Sequence, residues 1–176
     1  VRRVVERLLS ALRTPSELVQ EAVASCLPAL VRASAAAKDV PSIVDRLFVD
    51  LLHGDKYATR RGAAYGLAGV VKGRGVSAIR ELRILARLSE AAHDTSTTTT
   101  RQGALFAYEL LASTLHVLLE PYVDGILADL LLCFGDTHAD VREATQDAAR
   151  VLMRSLSGQC LKLILPSLLD GLDEKQ

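Results

Sequence analysis

Four segments of one pattern recur along the chain: VQEAVASCLPALV (19–31), TRRGAAYGLAGVV (59–71), TRQGALFAYELLA (100–112) and VREATQDAARVLM (141–153). Their second residues, Gln20, Arg60, Arg101 and Arg142, are spaced 40, 41 and 41 apart. Such a period marks a repeat architecture, in which each unit cannot bury its apolar face alone and relies on stacked neighbours. Ahead of each segment runs a stretch with paired apolar positions. In the second unit these are Ile43, Val44, Leu47, Phe48, Leu51 and Leu52; in the fourth, Tyr122, Val123, Ile126, Leu127, Leu130 and Leu131. Recurrence at i, i+1, i+4 and i+5 is the period of an amphipathic helix. Each unit therefore reads as helix, turn, helix.

An acid marks the turn in three units: Asp55, Asp94 and Asp136. Helix, Asp-bearing turn, Arg and second helix at this period resembles the HEAT repeat, best seen in Asp136 to Arg142; in the second and third units the acid stands one residue out of step. The expected fold is an all-α solenoid of HEAT repeats: four helix pairs and the first helix of a fifth, CLKLILPSLLDGLD (160–173). The expected units are 1–38, 39–75, 76–117, 118–158 and 159–176 of a single segment. Neither end shows a polar capping unit, so the expectation is a piece of a longer chain. Pro28 should kink the second helix of the first unit, while Pro15, Pro41 and Pro121 fall at helix starts or loops.

Composition agrees. Aromatic residues make up 4% of the chain, Trp is absent, and apolar residues reach 49%; that balance favours helix over strand. Cys26, Cys133 and Cys160 stand far apart with no C-x-x-C pair and read as reduced thiols of a cytoplasmic protein. No apolar run approaches the ~18 residues that a membrane span requires, and no signal peptide opens the chain.

GLAGVVKGRG (66–75) looks like a phosphate-cradling loop, and Gly73-Arg74-Gly75-Val76-Ser77-Ala78 satisfies the G-x-G-x-x-G/A fingerprint by letter. That fingerprint needs a strand before it and a helix N-terminus after it, so that free N–H groups point at the anion. Here the preceding residues belong to a repeated helix. Gly62, Gly66 and Gly69 share one helical face, where small residues admit a neighbouring helix. Gly73 and Gly75 suit the left-handed turn that ends a helix. With a helix where the fingerprint requires a strand, no nucleotide or other cofactor is expected.

His53, His93, His116 and His138 form no zinc-ligand spacing. Ser and Cys residues lack a basic partner in any nucleophile arrangement, so no enzyme is expected. The run TSTTTT (95–100) reads as a flexible turn with one capping threonine.

Zero net charge hides a division. Residues 56–101 carry nine cations against three acids, and residues 102–149 one cation against eight acids. Arg60, Arg101 and Arg142 occupy the repeated position and are expected to pair with turn acids of adjacent units. Lys56 and Arg61 lie at the edge between the helices of a unit; Lys72 and Arg74 lie at the opposite edge. Arg80, Arg83 and Arg87 follow as a stripe on the next helix. Lys72, Arg74, Arg80, Arg83 and Arg87 are thus a candidate basic patch for phosphate contact without base readout.

DKYATRRGAAYGLAGVVKGRG, QGALFAYELL, LEPYV, LLLCFGD, VREA and LKLILPSLL together resemble the family of large HEAT-repeat translational activators of the general amino-acid control pathway. The likeness is to the central region, similar to the HEAT domain of fungal elongation factor three, and runs along nearly the whole chain. It implies a cytoplasmic, non-catalytic scaffold of the stress response that contacts ribosomal RNA phosphate and ribosomal proteins. It also implies an ABC-type ATPase as partner, and activation of the kinase of initiation factor two alpha through regions outside this chain. By that resemblance Lys56, Arg60, Arg61 and Lys72 are the residues carried over as ribosome-facing, and Arg101 alone remains beside the Thr-rich run. The alternative is a nuclear-transport or phosphatase scaffold, which would present residues 102–149 to a protein. A HEAT-like glycosylase would need aromatic pocket walls, which the aromatic content does not supply.

Overall fold

The computed structural model describes residues 2–33 and 38–173. Residues 34–37, inside the first expected unit, and 174–176, in the fifth, lie outside the described residues, as does Val1. In chain order the helices are α1 (Arg2–Ala11), α2 (Glu17–Arg32), α3 (Val40–His53), α4 (Tyr57–Arg74), α5 (Ser77–Glu81) and α6 (Ile84–Ala92). There follow α7 (Thr98–Leu115), a 3₁₀ segment (His116–Tyr122), α8 (Val123–Phe134), α9 (Ala139–Ser155) and α10 (Gly158–Asp173). No strand occurs among the described residues. The chain is an all-α HEAT solenoid.

The second helices of successive units, α2, α4, α7 and α9, pack side by side, with α3, α6 and α8 behind them. One continuous apolar core runs through the stack, with Leu27, Leu51, Leu67, Leu88, Leu111 and Leu130 fully enclosed. This is the arrangement that paired apolar positions dictate: each helix offers one stripe, and only the neighbouring unit can cover it.

The repeated polar position ties each turn. A helix ends with carbonyls that have no intrahelical partner. A long donor early in the following helix can reach back to them, and a cation is favoured there by the helix dipole. Gln20 Nε2 donates to the carbonyls of Leu12 at 3.1 Å and Thr14 at 2.8 Å, and onward to Ala58 in the next unit at 2.8 Å. Arg60 donates to the carbonyl of Gly54 at 2.8 Å and to Gln102 Oε1 of the next unit at 2.6 Å. Arg101 reaches the carbonyl of Asp94 at 2.6 Å and Asp136 Oδ2 of the next unit at 2.7 Å. Arg142 holds the carbonyls of Asp136 and Thr137 at 2.7 and 2.9 Å. Arg101 thus takes a neighbouring turn acid. Arg60 takes a neighbouring glutamine instead, and Arg142 holds the carbonyls of its own turn.

Glycine serves close approach. A Cβ on Gly62 would overlap the carbonyl oxygen of Leu12, and one on Gly103, its equivalent a unit later, the carbonyl oxygen of Leu51. Gly69 sits against the carbonyl oxygen of Ala24, 2.6 Å from where its Cβ would be. Ala24 is the residue whose helical hydrogen bond Pro28, four positions on, cannot make; the helix is nonetheless assigned unbroken from Glu17 to Arg32. Gly73 does not make the turn, contrary to expectation. It lies inside α4, where a Cβ would strike Val31 and Pro28 of α2. Gly75 alone turns the chain, at φ 90°.

Two further expectations change. The first helix of the third unit is broken: Leu82 and Arg83 separate α5 from α6, and Arg83 adopts φ 51°. In one unbroken helix Ile79 and Ile84 would point about 140° apart; the break lets both be buried. The Thr-rich run is anchored rather than loose. Ser96 donates its backbone N–H to Asp94 at 2.8 Å, and Thr100, buried, donates its hydroxyl to the carbonyl of Leu52 at 3.1 Å. Thr97 stands at the N-cap of α7 without a side-chain capping bond.

Candidate functional site

The nine candidate cations divide by what they touch. Arg60 and Arg101 are buried in the ladder of turn contacts just described. Arg61 is committed too. Its guanidinium binds Glu109 Oε1 at 2.8 Å and lies between two rings, 5.7 Å from the centre of Tyr65 and 5.4 Å from that of Phe106. Tyr65 donates its hydroxyl to Glu17 at 2.8 Å, so this cluster joins α2, α4 and α7. Burial, and then the bond to Glu17, raise the Tyr65 phenol well above its ordinary range.

Arg87 lies flat on Phe48, 3.6 Å from the ring centre, and reaches Asp45 at 2.9 Å. A guanidinium so placed gains from the ring's negative face and covers the buried Phe48. Arg83, on the far side of the helix break, meets Glu90 at 3.7 Å with both side chains exposed. The break removes the stripe in which Arg80, Arg83 and Arg87 were expected to align. Lys56, exposed, stands at the N-cap of α4.

Lys72, Arg74 and Arg80 differ. All three are exposed. Lys72 and Arg74 occupy the last turn of α4, and Arg80 follows in α5, just past Gly75. Part of their presence there answers the negative end of the α4 dipole, yet their heads remain in water. The close approach of Gly73 to Val31 brings in a further cation, the exposed Arg32 at the end of α2, which donates to the carbonyl of Pro28 at 3.0 Å. Sequence reasoning missed Arg32. The signal was its place in the repeat, 40 residues before Lys72, the same spacing as Gln20 to Arg60. Asp39, the N-cap of α3, and Glu81, the last residue of α5, are the nearest acids in sequence, two against four cations at this edge. Beside it, Lys72, Tyr65, Ser25 and Ser113 line a groove of ≈540 Å³ between α2 and α7, floored by Gly69.

Part of the acidic stretch is taken up internally. Glu109 pairs with Arg61, Asp136 with Arg101 and Asp147 with Arg150. Two of these pairs, Arg61 with Glu109 and Arg101 with Asp136, join cation and acid of neighbouring units across the charge division; the third lies within α9. Among the described residues no group of His, Cys, Asp and Glu could hold a metal ion, and no helix is long and apolar enough to cross a membrane.

Comparison with known proteins follows the same line. The profile of the EF3 N-terminal HEAT repeat family matches residues 60–176. Over 175 residues, 99% of the chain, the sequence is 49% identical to "Stalled ribosome sensor GCN1" of Homo sapiens and 37% identical to "eIF-2-alpha kinase activator GCN1" of Saccharomyces cerevisiae. The chain spans 6% of the length of each of these relatives. It is 30% identical over 118 residues to Elongation factor 3 of Gonapodya prolifera, covering 66% of this chain and 11% of that protein. An engineered protein of known structure has the same fold, with a TM-score of 0.50 at 21% identity over 92% of this chain and 67% of its own.

Proposed function

The chain belongs to the EF3 N-terminal HEAT repeat family, and we propose that it is a non-catalytic scaffold segment of a cytoplasmic, ribosome-associated regulator of translation. In this reading the edge formed by Lys72, Arg74 and Arg80 rests on ribosomal RNA phosphate. The regulator signals to the kinase of initiation factor two alpha through regions outside this chain and works beside an ABC-type ATPase. The observation that carries the reading is the exposure of these three cations, free of any acidic partner among the described contacts, in a chain so similar to a protein named a stalled ribosome sensor. Lysine and arginine heads on long stems suit phosphate, which positions a protein without reading bases.

Ribosome co-sedimentation over a salt series tests it, comparing the native chain with Lys72→Glu/Arg74→Glu/Arg80→Glu. Arg83 and Arg87 stay unchanged, since Arg87 covers Phe48 and its loss would confound folding with binding. Counterion release makes each phosphate contact contribute about 0.7–0.9 to the slope of log affinity against log salt. The expected result is a fall in that slope of about 2, with circular dichroism unchanged. Equal pelleting of both proteins at every salt concentration would remove phosphate contact from this edge. Lys56→Glu, at the other end of α4, separates the two ends: an unchanged slope would confine phosphate contact to the Lys72 edge, and a lowered one would extend it to Lys56.

A further inference from the structure

Asp129 is the one buried acid among the described residues, 3% exposed. It stands on the face of α8 turned toward α6 and α7. Ser89 of α6 donates its hydroxyl to Oδ1 at 3.0 Å, and Tyr108 of α7 donates its hydroxyl to Oδ2. Both donors are neutral. His93 approaches Oδ1 at 3.5 Å from an exposed position, but its Nδ1 is 2.8 Å from the carbonyl of Ser89. A carbonyl can only accept, so the hydrogen on Nδ1 is directed there first. Two half-buried acids, by contrast, meet an arginine: Glu109 has Arg61 and Asp136 has Arg101. A carboxylate withdrawn from water is costly unless a cation compensates it. Among the described residues Asp129 has two hydrogen bonds and no arginine or lysine.

This carboxylate does not end in packed protein. Asp129, Ser89 and Tyr108 line an open cavity of ≈300 Å³ whose other walls include Tyr122, Leu85 and Gly125. That is the lower end of the range for small-ligand sites. Gly125 makes the opening: a Cβ built on it meets nothing within 4 Å. Aliphatic and aromatic walls leading to a buried negative charge are complementary to an alkyl stem that ends in a positive one.

We infer that the cavity between α6, α7 and α8 receives the side-chain ammonium of a lysine from a protein partner, with Asp129 as its counter-ion. Ammonium fits better than guanidinium. Each carboxylate oxygen already accepts one hydrogen bond, which suits a compact point charge rather than a planar fork seeking two parallel acceptors. A protein source suits the setting, because residues 102–149 carry eight acids against one cation, only Glu109, Asp136 and Asp147 of them meet an arginine among the described residues, and the rest attract a basic segment. Burial, and then the bond to Asp129, keep the Tyr108 phenol protonated far above neutrality, so it remains a donor. The cavity lies apart from the Lys72 edge, so the two readings stand or fall separately.

The test is titration of the 176-residue chain, followed by amide shifts of Ser89, Gly125 and Asp129 in NMR. The probe is an acetylated, amidated Gly-Lys-Gly tripeptide. Its comparators are the same tripeptide with norleucine in place of lysine, and free butylammonium. Saturable shifts are expected with the lysine peptide and none with the norleucine peptide. Asp129→Asn, which keeps the shape and removes the charge, should weaken binding at least tenfold. Gly125→Leu, which fills open space and strains nothing, should do the same while the protein stays folded. If Asp129→Asn unfolds, Gly125→Leu decides alone. Three results would overturn the inference: no saturable shift with the lysine peptide, equal shifts with norleucine, or retained affinity in Gly125→Leu. Butylammonium binding more tightly than the peptide would overturn the protein source.

Discussion

Gly62→Ala is expected to lower the unfolding free energy by about 2–3 kcal/mol, the magnitude of an overpacked core. Intrinsic propensity predicts the opposite sign, since alanine is the better helix former by about 1 kcal/mol. The new Cβ would have to share space with the carbonyl oxygen of Leu12. That obstacle is backbone, held by Gln20, and cannot rotate aside as a side chain could. Relief requires α4 to move off the α1–α2 turn, which opens the interface between the first two units. For a chain of this size each kcal/mol corresponds to about 2–4 °C, so the midpoint should fall by roughly 4–12 °C in thermal unfolding followed by circular dichroism. Gly125→Ala is the internal control. It gains helix propensity and meets nothing, so its midpoint should rise slightly. A rise for both would overturn the close approach of α4 to the Leu12 carbonyl.

Arg101→Met should cost about 3 kcal/mol, as removal of one member of a buried ion pair does. The Arg101 side chain is 7% exposed and that of Asp136 is 11%. Methionine fills similar volume but leaves Asp136 without its cation and the carbonyl of Asp94 without its donor. The double variant Arg101→Met/Asp136→Leu should recover much of the loss, because the stranded carboxylate is gone. The pH dependence carries the same signature. Burial pushes the Asp136 carboxyl up, but the backbone N–H of His138 and then Arg101 outweigh it and hold the group below the usual carboxylate range. A depressed value contributes stability that is fully present above the unfolded value of about 4 and is lost as pH falls through the folded one. Urea unfolding between neutral pH and pH 3 should therefore show an acid-limb loss in the native chain that is smaller in Asp136→Asn. An identical acid limb in both would show that this pair does not set acid stability.

Much of the architecture could be read from the chain. Paired apolar positions identified the helices, and the recurrence of Gln20, Arg60, Arg101 and Arg142 identified the stacking, because both are periodic over short distances. The glycines of the second unit were legible as packing residues for the same reason. The assignment of Gly73 to the turn failed because nothing local distinguishes a glycine that admits Val31 from one that turns the chain. Arg80, Arg83 and Arg87 have helical spacing, yet Ile79 and Ile84 both seek the core and the helix breaks between them. Asp129 reads in sequence as one more acid of a polar face. Only the meeting of α6, α7 and α8 places Ser89 and Tyr108 around it and leaves Gly125 open beside it.

What the sequence determined by itself is the all-α repeat, its period near 41 and the donor that closes each turn, since these rest on spacings within a helix or across one turn. The choice of which cations remain free belonged to the tertiary structure. Arg61 meets Glu109 across 48 residues and Arg101 meets Asp136 across 35, while Lys72, Arg74 and Arg80 meet no acid among the described residues. Those pairings depend on how one unit seats against the next, and that seating is set by shape and close packing rather than by any local pattern.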